Sequence, residues 1–133
     1  MTDKTATDPA PLVLLAEDNK GVAVATSRYL ELKKFCVHWV SDGEAALEAA
    51  LKLEPNVILM DIRMPRFDGL QAIKQMRKIT ALADTPIIAL TGLAMPDDEH
   101  RCISAGADRY LSKPYLMQEL VDLIQLLLRQ EEA

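Results

Sequence analysis

Along this chain short apolar runs alternate with longer stretches in which apolar residues recur at helical spacing. The clearest run is Val57–Met60, four apolar residues with no alternation, which predicts a strand buried on both faces. Leu12–Ala16 and Pro86–Leu90 read the same way, and Arg109–Leu111 predicts a short fifth strand. Phe35–Val40 is rich in β-branched and aromatic residues and predicts the second strand. Between the strands, Val22, Ala25, Tyr29 and Leu32 set a helix over about Gly21–Lys33. An Ala- and Leu-rich helix runs to about Leu53, where Pro55 closes it, and Ser41 with Glu44 has the spacing of a capping box at its start. Ala72, Ile73, Met76 and Ile79 predict a third helix from Gly69 to Ile79. A fourth starts near Pro96, with acids in its first turn and Gly106 as its C-terminal cap. The last runs from about Leu116 to Gln130.

Strands alternating with helices, without repeats, predict an α/β domain: a doubly wound five-stranded parallel sheet with five flanking helices. Right-handed crossovers leave few windings, and the expected one is the flavodoxin-like order 2-1-3-4-5. Residues 1–10, polar and ending in a proline-rich stretch, predict a flexible leader, with the domain itself over residues 11–131.

That winding brings the carboxyl ends of the strands to one edge, where open α/β sheets place their ligands. Glu17 and Asp18 follow strand one, Asp61 strand three, Thr91 strand four and Lys113 strand five. Taken singly, each has a plainer explanation: Glu17-Asp18-Asn19 as a helix cap, Asp61 as a strand terminator, Thr91 as a loop cap, Lys113 as a surface lysine. Taken together, the strands that meet in the crevice each end in a matched polar group, and only edge strand two lacks one.

Composition narrows the chemistry. Of 133 residues, 50% are hydrophobic and 26% charged, a profile that fits one globular domain. A net charge of −5 with no basic stripe argues against a nucleic-acid partner. No run reaches the roughly 18 apolar residues of a membrane helix, so no membrane partner is expected. Cys36 and Cys102 match no metal or redox spacing and are expected to be reduced fillers in a cytoplasmic protein. Clustered carboxylates repel, so a divalent cation is their natural neutraliser, and all-oxygen donors suit Mg²⁺. Phosphoryl transfer onto a carboxylate fits this set, with Asp61 as nucleophile and Mg²⁺, Lys113 and Thr91 sharing the phosphoryl oxygens.

The motifs LLAEDN, SDGEAAL, VILMDIRMPRFDG, PIIALTG and AGADRYLSKP, with the final amphipathic helix, strongly resemble the receiver domain of two-component response regulators. The resemblance implies that Asp61 accepts phosphate from a histidine kinase or phosphotransfer protein. It implies Mg²⁺ on Asp18, Asp61 and the Arg63 carbonyl, with Glu17 reaching it through water. It implies phosphoryl contacts from Thr91 and Lys113, switching through Thr91 and Tyr110, and a cis Lys113–Pro114 peptide. Such a domain is a signalling module, not an enzyme beyond its own phosphorylation and dephosphorylation. Val22 stands where receivers of hybrid kinases often carry Asn. Arg63 and Leu93, flanking the phosphoryl site, supply no acid or carboxamide to position a hydrolytic water, which predicts a long-lived phosphorylated state.

Two other readings compete. A metal-dependent aspartyl-phosphate phosphatase would carry a second acid two residues after its nucleophile, where this chain has Arg63. A non-phosphorylated pseudo-receiver would lack one of Asp61, Thr91 or Lys113. The apolar arc of the last helix, from Leu116 to Leu128, spans roughly 160°, more than the stripe of about 100° that covers a sheet face. Its margins, Leu123, Val121 and Leu128, are expected to stay partly exposed. With helix four and strand five they would form the face for a homodimer or effector. The chain stops shortly after this helix, which leaves a stand-alone regulator, a phosphorelay intermediate and a piece of a larger protein all open.

Overall fold

The computed structural model describes residues 10–64, 68–92 and 96–132, with side chains to residue 129. Residues 1–9 of the expected leader (residues 1–10), together with Pro65 and Leu93, lie outside the described residues. In order the elements are β1 (Leu12–Ala16), α1 (Lys20–Leu32), β2 (Cys36–Val40), α2 (Gly43–Leu53), β3 (Val57–Asp61) and α3 (Gly69–Arg77). A 3₁₀ turn (Thr80–Leu82), β4 (Ile87–Thr91), α4 (Asp98–Ala105), β5 (Arg109–Ser112) and α5 (Met117–Glu132) complete it. All strand pairs are parallel and the order is β2-β1-β3-β4-β5, the expected winding.

The period-2 geometry of the buried strands sorts their side chains into two cores. Leu14, Ile58, Met60, Ile87 and Ala89 face α2, α3 and α4, where they meet Ala46, Ile73, Met76 and Cys102. Val13, Leu15, Leu59, Ile88 and Leu90 face α1 and α5, meeting Ala23, Leu30, Leu120 and Ile124. β3 and β4 are buried at every position.

Several boundaries move, each for a physical reason. β3 and β4 run one residue further than the apolar pattern, because Asp61 pairs with Leu90 and Thr91 with Ser112. Both polar groups therefore sit on the last rungs of the ladder and not in loops. Phe35 falls outside β2: its N–H bonds the Leu30 carbonyl at 3.1 Å, closing the end of α1 through Lys34 at φ 77°. The α2 cap is Asp42, whose Oδ1 accepts from Ala45 N–H at 2.8 Å, so the capping box on Ser41 is displaced by one residue. Asn19 and Asp68 cap α1 and α3 in the same way.

α3 stops at Arg77, short of Ile79, because its last turn tightens to i−3 bonds and Arg77 gathers the chain beyond it. The guanidinium donates to the carbonyls of Gly106 (2.8 Å), Leu82 (2.9 Å), Ala83 (3.1 Å) and Thr85 (2.8 Å). Its Nη2 also pairs with Asp108 Oδ2 at 2.8 Å, and that oxygen accepts the Ile87 N–H as well. Gly106 caps α4 as expected, at φ 126°, and a Cβ there would strike the Arg77 side chain.

Of the three expected margins of α5, Leu123 and Leu128 stay partly exposed as expected, and Val121 is a correction. Val121 is 1% exposed and belongs to the core, while Leu116, placed in the covered arc, is 71% exposed and precedes the helix. Leu123 and Leu128 are half-buried against the core. Cys36 is exposed and so fills no core; Cys102 is buried, and both thiols are free.

Candidate functional site

Asp61 ends β3 with its carboxylate almost buried. Oδ1 accepts from the Arg63 N–H at 3.0 Å and Oδ2 from Lys113 Nζ at 3.1 Å. Glu17, just past β1, is as deeply buried; its Oε1 accepts from Lys113 Nζ at 3.0 Å and its Oε2 from the Asn19 N–H at 3.1 Å. One ammonium thus bridges two buried carboxylates from different strands. Asp18 is exposed and completes the group: each of Glu17, Asp18 and Asp61 offers a carboxylate oxygen within 4.8 Å of the others.

Of Glu17, Asp18 and Asn19 it is Asn19 that caps α1, and Glu17 and Asp18 are left in the acidic group. Thr91 is buried on the last rung of β4, and its carbonyl accepts the Lys113 N–H at 2.7 Å. That bond fixes the segment that carries the ammonium. The Lys113–Pro114 peptide is cis, as the resemblance implied. Tyr110 pairs with Ala89 and Ser112 with Thr91, so with a two-residue period Tyr110 and Thr91 share the α4 face. Arg63, itself exposed, contributes its amide to Asp61.

Charge follows from this crowding. Burial raises the Glu17 pKa above its ordinary 4.5, opposed by the Lys113 bond and reinforced by the charge on Asp61. Burial alone would lower Lys113, but its bonds to Glu17 and Asp61 outweigh this and hold it above the usual lysine value. Burial, then Asp98, Cys102 and Glu99, raise Tyr110. Three carboxylates face a single ammonium, and the surplus negative charge suits a divalent cation. The donors are oxygen only, with one acid open to solvent for water to complete a shell, which fits Mg²⁺.

The expected Glu17, Asp18, Asp61, Thr91 and Lys113 all arrive at this edge. Two contributors escaped the sequence reading. Trp39 on β2 donates its indole N–H to the Glu17 carbonyl. Gly69 passes so close to β3 that a Cβ there would overlap the Asp61 carbonyl oxygen and lie 2.8 Å from Ile62 Cα. The Asp68-Gly69 pair signals a turn; the close approach behind it depends on the packed strand. Gly69→Ala is expected to cost about 1–3 kcal/mol, the range for overpacking. Urea denaturation checks it, and a loss under about 0.5 kcal/mol would contradict the steric account.

Fold and site together define a parallel α/β domain with an acidic, lysine-bearing cleft at the carboxyl edge of its sheet. The family model of the response regulator receiver domain matches residues 13–125. The chain belongs to that family: it is a receiver domain of the two-component response regulators, a signalling class. Transcriptional regulatory protein PrrA of Mycobacterium leprae is 36% identical over 124 residues, covering 93% of this chain and 52% of that protein. The DNA-binding dual master transcriptional regulator RpaA of Synechocystis is 30% identical over 92% of this chain and 51% of its own length. The chain therefore spans about half the length of the curated relatives it matches, and the expectation of no nucleic-acid partner concerns this half alone.

Among solved structures, the receiver domain of Francisella response regulator 1452 has a TM-score of 0.85 at 30% identity, covering 91% of this chain and 98% of that one. The receiver domain of the Pseudomonas aeruginosa sensor histidine kinase PA1611, described with a magnesium ion coordinated in its active-site cleft, has a TM-score of 0.79 at 35% identity. It covers 90% of this chain and 98% of its own. Among the described residues no helix is long and apolar enough to cross a membrane.

Proposed function

We propose that Asp61 is the phosphoryl acceptor, taking its phosphate from a phosphohistidine of a histidine kinase or phosphotransfer protein. The observation that carries this is the Lys113 bridge between buried Asp61 and Glu17 at 3.1 and 3.0 Å, with Asp18 alongside. An Asp61 oxygen attacks phosphorus, the P–N bond breaks, and the imidazole leaves with the electron pair. The product is an acyl phosphate. Asp18, Asp61 and the Arg63 carbonyl would hold Mg²⁺ directly and Glu17 through water. Bound there, the ion supplies positive charge for the phosphoryl oxygens as charge moves onto them. Lys113 turns its ammonium from the carboxylates to one phosphoryl oxygen, and Thr91 offers its hydroxyl to another.

Thr91 and Tyr110, on one face of the sheet, form the switch. The hydroxyl follows the phosphoryl group and the ring moves inward, a shift between pre-existing states. The readout face is α4-β5-α5, where Ile103 and Leu116 are exposed, and a second copy or an effector docks there. The domain occupies residues 11–131 behind a leader over residues 1–10, and its two free thiols suit the cytoplasm. A pseudo-receiver reading loses ground because Asp61, Thr91 and Lys113 are all in place, and a phosphatase reading because Arg63 is no proton donor.

Incubation with acetyl phosphate and Mg²⁺ is expected to add one phosphate, seen by mass spectrometry and absent in Asp61→Asn. Uptake indifferent to chelation would refute the metal's part in it.

The metal site also has a pH signature. Glu17, raised above 4.5, binds its proton more tightly in the fold, so it stabilises the fold most below 4.5, and this contribution is lost as pH rises through the folded value. Mg²⁺ competes with that proton, so its affinity is expected to climb across the same window. Calorimetric titration at several pH values checks this, with Glu17→Gln expected to flatten the slope.

A further inference from the structure

Edge strand β2 ends in no charged group, yet it reaches the acidic cluster through Trp39. The indole Nε1–H donates to the Glu17 carbonyl oxygen at 2.6 Å. The Glu17 N–H donates to the Val40 carbonyl at 3.0 Å. Both backbone polar groups of Glu17 are therefore held by two consecutive residues of β2, one through its main chain and one through its side chain.

The carbonyl that Trp39 grips belongs to the peptide joining Glu17 to Asp18. A peptide unit is planar and stiff, so fixing its oxygen fixes the Asp18 nitrogen and the direction in which Asp18 leaves. Glu17 has further restraints on its carboxylate, from Asn19 and Lys113. Asp18 differs: among the described residues its carboxylate makes no hydrogen bond, and it is exposed. Its placement near Glu17 and Asp61 rests on the backbone that carries it, and Trp39 holds that backbone.

We infer that Trp39 is a positioning residue for the cation site. It does not touch the cation; it holds the Glu17–Asp18 peptide so that the acidic group keeps its spacing before the ion arrives. Pre-organisation of this kind lowers the ordering cost of binding. Groups that orient metal ligands typically change affinity by about 10–100-fold when removed. Trp39 acts through the backbone, one link further back, so the lower end, about tenfold, is expected. The inference rests on the reading of the cluster as a Mg²⁺ site.

A purely structural role is the rival, since Trp39 is 36% exposed at the sheet edge and shields the Glu17 peptide. Trp39→Phe separates the two, because it keeps an aromatic ring and removes the N–H. The Mg²⁺ dissociation constant of the full chain, measured by calorimetry, is expected to weaken about tenfold in Trp39→Phe. A double-mutant cycle with Asp18→Asn adds a second reading: with Asp18 neutral, Trp39→Phe is expected to have a smaller effect. The rival predicts a lower melting temperature with unchanged Mg²⁺ affinity, and that result would overturn the inference alone. A wild-type chain that binds no Mg²⁺ would overturn the metal reading and the inference with it. Trp39 is the chain's only tryptophan, so wild-type emission is a readout independent of any variant. Its emission is expected to change with Mg²⁺ at the calorimetric midpoint, and emission constant through saturation would also overturn the inference.

Discussion

Asp61→Asn is expected to abolish phosphoryl uptake while leaving the domain folded. The amide keeps the size of the acid and an oxygen for the Arg63 N–H, now 3.0 Å from Oδ1. It has no anionic oxygen to attack phosphorus, so nucleophilic reaction stops. Neither neighbour replaces it. Glu17 has one oxygen on the Asn19 N–H and the other on Lys113, and it is buried behind the site. Asp18 is exposed and lacks the Lys113 contact that would draw a phosphoryl group toward it. Stability is expected to change little, since Lys113 retains Glu17 and the charge that raises Glu17 is removed. Phosphate incorporation from acetyl phosphate, mapped by mass spectrometry, decides the matter. A variant still labelled on another carboxylate would sink the assignment.

Arg77→Ala is expected to destabilise the fold by about 3 kcal/mol, far from the site. Arg77 donates to four carbonyls, those of Gly106, Leu82, Ala83 and Thr85, and pairs with Asp108. A hydrogen bond from a charged donor contributes about 1.5–3 kcal/mol, but bonds sharing one guanidinium do not add. The ion pair itself counts for little, because the Asp108 side chain is 44% exposed and screened by solvent. The loss comes from the Gly106, Ala83 and Thr85 carbonyls, which lose the guanidinium where α3, the 3₁₀ turn and the α4–β5 connection meet; Leu82 keeps the Thr85 N–H at 3.2 Å. Arg77→Lys should recover only part of it, because one ammonium cannot reproduce the planar fork. Equilibrium urea unfolding of both variants checks this; a loss within about 0.5 kcal/mol for Arg77→Ala would contradict it.

Much of the molecule is determined by local sequence. Buried parallel strands must be continuously apolar and their helices striped, so Val57–Met60 and its counterparts reveal the elements directly. The chirality of crossovers then restricts the order, and the order delivers Glu17, Asp18, Asp61, Thr91 and Lys113 to one edge. These residues are legible because each stands at or just past the end of an apolar run, a position visible in the chain itself.

Tertiary structure decided what depends on groups meeting across the fold. Lys113 reaches Glu17 over 96 residues and Asp61 over 52, and only the packed sheet puts one ammonium between them. Trp39 looked like one more β-former, until the register of β1 with β2 set its indole against the Glu17 carbonyl. Gly69 read as a turn residue, and the backbone of Asp61 beneath it is what excludes a side chain. Arg77 sits in an ordinary helical pattern, and its carbonyl partners exist as a group only after the 3₁₀ turn and the end of α4 have formed. Helical periodicity likewise placed Leu116 and Val121 on one arc, but Leu116 precedes the helix and Val121 meets the sheet. Periodicity specifies a direction around an axis; which directions are covered depends on what packs there.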